Sequence, residues 1–87
     1  MPTAWIPTQL RELTQGKQVV PITGATVREV IEDLESQFPG IKERLCDGDK
    51  VRANILVVVD GHVAPLKIRE KVNEDSEVHF VIAISGG

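Results

Sequence analysis

The apolar positions along this chain change period twice. From residue 26 to residue 38 they recur at helical spacing: Val27, Val30, Ile31, Leu34 and Phe38 fall on one stripe, with Arg28, Glu29, Glu32, Asp33 and Glu35 opposite. Thr26 with Glu29 three places later is a capping-box pattern, and Pro39-Gly40 supplies the stop, so both helix ends are written locally. On either side the spacing is that of extended chain. Residues 4–7 predict a short strand leading into the polar-apolar stretch 8–13, Gly16-Lys17 a turn, and residues 18–22 a second strand, together an opening hairpin with a long connection. After the helix, residues 41–45 add a helical turn, and residues 46–50, polar and interrupted by Gly48, read as loop. Residues 54–59 are almost continuously aliphatic or β-branched, which predicts a central strand covered on at least one face. Asp60-Gly61 is a tight hairpin signal with His62-Val63 starting the return, and Glu74-Asp75-Ser76 marks a further turn. In residues 77–83, Val78, Phe80 and Ile82 alternate with Glu77, His79, Val81 and Ala83, the period of a half-covered strand.

Strand, strand, helix, strand, short return and last strand are most simply buried as an α+β fold: one main helix laid across one face of a mixed four- or five-stranded sheet, the β-grasp arrangement. A chain of 87 residues with 41% hydrophobic content has room for one core, so residues 1–87 form a single domain with one main functional surface, and residues 85–87 a flexible tail. The single cysteine, Cys46, excludes an internal disulfide and a multi-cysteine metal site, and suits a reducing compartment. With no basic-then-apolar leader and no apolar run of membrane-spanning length, the expectation is a soluble cytoplasmic protein with no membrane partner. A net charge of −3, with neither the cations nor the three aromatics (Trp5, Phe38, Phe80) clustered, argues against nucleic acid as a partner. Phe38 and Phe80 read as core, and Trp5 is left open.

Candidate chemistry is sparse. Cys46 lies beside Asp47 and Asp49, which would raise a thiol pKa rather than activate it, so it reads as inert. His62 past a hairpin and His79 on a strand with Glu77 have no third ligand in view, so no metal site is expected. The acidic helix face is read as solvated. On the last strand, Val81 and Ala83 are apolar where Glu77 and His79 are not; they either face a covering loop or form a docking patch that Leu56 or Val58 would extend. The strongest feature is the ending Gly86-Gly87. At a glycine frequency of roughly 7% two such residues end a chain by chance about once in 200, and having no Cβ they let the backbone thread a narrow cleft. A carboxylate is a poor electrophile, so activating one calls for an acyl-phosphate-type intermediate and hence for another protein's active site.

Five stretches carry a resemblance to a known family: Ile6-Pro-Thr-Gln-Leu-Arg11, Gly24-Ala-Thr-Val-Arg-Glu-Val-Ile-Glu-Asp-Leu34, Phe38-Pro-Gly-Ile41, Val59-Asp-Gly-His62 and Ser85-Gly-Gly87. The chain resembles the MoaD/ThiS sulfur carriers over essentially its whole length, and within them the branch that serves a cysteine synthase (CysO-like), through its Ile-Pro-Thr opening and Pro-Gly-Ile-Lys-Glu-Arg-Leu stretch. It departs from molybdopterin-synthase small subunits, which commonly approach the diglycine through prolines where this chain has Val81-Ile-Ala-Ile84. The resemblance implies a non-enzymatic carrier. Gly87, with Gly86 before it, would be adenylated by an ATP-dependent E1-like activating enzyme and converted to a thiocarboxylate, with Val81, Ala83, Ile84 and Ser85 touching the partner. The sulfur acceptor it favours is a pyridoxal-phosphate cysteine synthase, then the molybdopterin-synthase large subunit or a thiamine-type pathway. No cofactor would be bound by the chain itself; ATP belongs to the activating partner. Two other readings stand: a modifier joined through Gly87 to lysines, and a β-grasp interaction module whose diglycine is incidental.

Overall fold

A computed structural model describes residues 1–83. Strand β1 (Thr3–Trp5) pairs antiparallel with β2 (Val19–Pro21). Their long connection holds a single helical turn, Thr8–Leu10, and the fully buried Thr14, whose hydroxyl lies 2.8 Å from the Lys17 carbonyl. Helix α1 (Val27–Gln37) begins where the sequence places it. The Thr26 hydroxyl accepts the Glu29 amide at 3.2 Å, and the Glu29 carboxylate turns back to accept the Ala25 amide at 3.1 Å, one residue further out than a standard capping box. Helix α2 (Ile41–Leu45) follows Gly40, which stands at φ 103°. Glu35 ties the two helices by accepting the Lys42 and Gly40 amides at 2.9 and 3.1 Å, bonds that, the Lys42 amide first, lower its carboxyl below the ordinary value.

Residues 46–50 are not loop, as their polarity suggested. They form a two-residue hairpin, β3 (Cys46–Asp47) against β4 (Lys50–Val51), with Gly48 at φ 66° as its first turn residue. Gly at that position is itself a hairpin signal, and polarity masked it because these strands bury only Cys46 and Val51. Strand β5 (Ile55–Val59) turns through Asp60 and Gly61, at φ 51° and 84°, into β6 (His62–Val63). Both turn residues have positive φ, the backbone that the Asp-Gly pair signals.

The last strand, β7 (Glu77–Ile82), is the centre of a five-stranded sheet ordered β2-β1-β7-β5-β6. It runs parallel to β1 and antiparallel to β5, so the sheet is mixed. Strand β5 is interior but next to the short edge strand, and only one of its faces is covered: Ile55, Val57 and Val59 are buried while Leu56 is exposed. The inward residues Val20, Ala4, Val78, Phe80, Val57 and Val59 meet Val27, Val30, Ile31 and Leu34 of α1 in one continuous core, which also takes Phe38. Sheet and single main helix give the ubiquitin-like β-grasp. No helix among the described residues is long and apolar enough to cross a membrane.

Candidate functional site

The face of the sheet opposite α1 is open, and strand register fixes what lies on it. Trp5 pairs with Val19 on one side and His79 on the other, His79 with Val58, and Val58 with Val63. Directly paired residues point to the same side of a sheet, so Val19, Trp5, His79, Val58 and Val63 form one row crossing all five strands. Beside it towards the tail, Leu56 and Val81 are direct partners. Exposure is 38% at Val19, 60% at Val63, 46% at Leu56 and 45% at Val81. Val81 and Ala83 are therefore not covered by a described loop, and both Leu56 and Val58 extend their face.

Trp5 belongs to this face rather than to the core. Its ring stacks on His79 with centroids 4.8 Å apart and planes 10° from parallel, and its covered Nε1 has no hydrogen-bond partner among the described residues. His79 Nε2 lies 3.3 Å from Glu77 Oε1. The other end of the face, with Thr3, Pro21 and Glu77 in register, is more polar, so the apolar area lies towards the end of β7 from which the tail leaves.

That end of β7 is held by the hydrogen bond from the Ala83 amide to the Asn54 carbonyl, 2.7 Å. Ile84, Ser85, Gly86 and Gly87 lie outside the described residues. The opposite end is pinned by Asp60, which accepts the Glu77 amide at 3.0 Å and the Ser76 hydroxyl at 2.7 Å. These bonds, the Glu77 amide first, hold the Asp60 carboxyl below its ordinary range. Sequence reading missed this lock, although Asp60 and Ser76 were both seen as turn residues; their meeting depends on β5 and β7 being neighbours.

The remaining candidates separate. Cys46 is buried, and burial pushes its thiol pKa up, with Glu32 adding to the rise while Lys42 and Arg52 oppose it. The direction agrees with the sequence reading, but the cause is desolvation rather than the neighbouring aspartates. His62 is exposed on β6, with its backbone paired to Val59. Among the described residues no three His, Cys, Asp or Glu side chains converge as metal ligands would.

An apolar sheet face leading to a diglycine is an arrangement that comparison with known proteins can test. The ThiS family model matches residues 4–87, nearly the whole chain and through Gly87. The chain belongs to the ThiS family. It is similar to the sulfur carrier protein CysO of Mycobacterium tuberculosis, 49% identical over 45 residues, which are 52% of this chain and 48% of that protein. The chain thus spans about half the length of the curated relatives it matches. Its fold superposes on a crystal structure of the BexX/CysO complex of Amycolatopsis orientalis with a TM-score of 0.92, at 34% identity and full coverage of both chains. The crystal structure of M. tuberculosis CysO gives a TM-score of 0.89 at 29% identity, covering 97% of this chain and all of that one.

Proposed function

We propose that this ThiS-family chain is a sulfur carrier rather than an enzyme. Its Gly87 carboxylate is adenylated by an ATP-dependent activating enzyme, and sulfur then displaces AMP to leave a thiocarboxylate. The observation that carries the reading is a family match running through Gly87, on a sheet whose last strand ends at Ile82. Five residues follow Ile82, and drawn out straight they reach about 16 Å, enough to enter another protein's cleft. The open face around Leu56 and Val81 is where the partners dock. Likeness to CysO supports cysteine biosynthesis as the destination, with a pyridoxal-phosphate cysteine synthase as acceptor.

One assay tests the reading end to end. The chain is incubated with its cognate activating enzyme, ATP and a sulfide source, then with the cysteine synthase and an activated serine. The full chain yields cysteine. A chain ending at Ser85 melts as the full chain does, within about 0.5 kcal/mol, yet yields none, because misplacing the reacting carbon by even about 1 Å costs on the order of a hundredfold. Equal turnover of the truncated chain contradicts the proposal. Dithiolene formation with a molybdopterin-synthase large subunit, with no cysteine made, would move the acceptor to that pathway.

A further inference from the structure

On the helix side of the sheet, below the point where the tail leaves, lies a recess of about 350 Å³ that the carrier reading does not use. Its floor is apolar, formed by Leu10, Ile55 and Ile82, and its rim carries Arg44 from α2 and Arg52 from the segment before β5. Arg52 donates Nε and Nη2 to the Glu43 carbonyl at 3.0 and 2.8 Å, which fixes its guanidinium and leaves Nη1 unused. Arg44 is exposed, and among the described residues it makes neither hydrogen bond nor ion pair. Glu43 also lines the recess, so its lining carries two guanidinium groups against at most one carboxylate, in a chain whose net charge is −3. An apolar floor lowers the local dielectric and strengthens an ion pair formed above it.

Resting on the carrier reading, we propose that this recess receives a carboxylate side chain of the activating enzyme, at the mouth of the cleft into which the tail is drawn. Guanidinium groups suit a planar carboxylate, which they bind through paired N–H donors. The phosphates of the activating nucleotide have the same anionic chemistry but the wrong position. They act at Gly87, five residues beyond Ile82 in the sequence, whereas Ile82 itself lines the recess. The recess is also separate from the open apolar face, since Ile55 and Ile82 point to the helix side while Leu56 and Val81 point away. The carrier is thus held on both sides of the strand that feeds the tail, by apolar contact on one and by charge on the other.

Steady-state pyrophosphate release by the cognate activating enzyme, with the full chain varied, tests this. Arg44→Glu raises the KM for the carrier about tenfold and leaves kcat within about twofold, as expected for an interfacial charge pair. Arg44→Lys falls between it and the wild type, and added salt narrows the difference. Arg44 is exposed, so the variants melt with the wild type, and a control melt separates folding from binding. An unchanged carrier KM in Arg44→Glu, with the wild type activated normally, overturns the recess proposal alone. A rise in the KM for ATP in place of that for the carrier also overturns it, assigning the recess to the nucleotide. A wild-type chain that is never activated overturns both this proposal and the carrier reading.

Discussion

Gly24, just before α1, is the one described glycine at which an added Cβ would meet other atoms within 4 Å. It stands at φ 147°, and a Cβ there would lie 2.9 Å from both the Glu29 Cβ and the Val30 amide nitrogen. The helix start cannot yield without losing its cap, so Gly24→Ala costs about 1–3 kcal/mol. Thermal melting reads this as a drop of several degrees or more; an unchanged Tm contradicts it. Asp60 makes a different prediction. Its carboxyl is held below the ordinary value of 3.8, so its contribution is present above that value and lost as pH falls through the lower folded-state value. Asp60→Asn keeps a side chain that tolerates positive φ and removes the charge. The variant melts below the wild type at neutral pH, and its Tm changes less than that of the wild type below about pH 4. Parallel pH profiles for the two proteins contradict this assignment.

Elements whose information is local were legible in the sequence. Helix α1, its Thr26 cap, the Asp60-Gly61 hairpin and the alternation of β7 each depend on residues within a few positions of one another, and all stand where the pattern puts them. What depended on pairing was not. Trp5 could not be assigned to a face until β1 was known to lie beside β7, which brings Trp5 onto His79 from 74 positions away. The Asp60 lock and the two-arginine recess were hidden for the same reason. The open face, half seen through Val81 and Ala83, became a row crossing the sheet only with register in hand. Its role is tested by Val81→Asp. Val81 is exposed, so the change costs stability on the order of 1 kcal/mol or less. A charge at the middle of an apolar docking area weakens binding to the activating enzyme by about tenfold or more. Titration calorimetry giving wild-type affinity for a folded variant would show that the activating enzyme docks elsewhere.

At the scale of the whole molecule, one end of the sheet collects the features that the proposals above assign to partner binding. The apolar pair Leu56 and Val81, the arginine recess and the departure of the tail all lie where β7 ends, while the opposite end is closed by the Asp60 lock. The proposed action through Gly87 calls for a rigid platform at that end and for catalytic groups in the partners. The buried, unactivated Cys46 is consistent with sulfur being carried on the chain's carbonyl carbon and not on a thiol. The most direct measurement is intact and C-terminal-peptide mass spectrometry of the protein isolated from its native host. The account predicts a species heavier by the replacement of one oxygen with sulfur, localised to Gly87. A protein found only unmodified, or found joined through Gly87 to lysines of other proteins with no thiocarboxylate form, would contradict it.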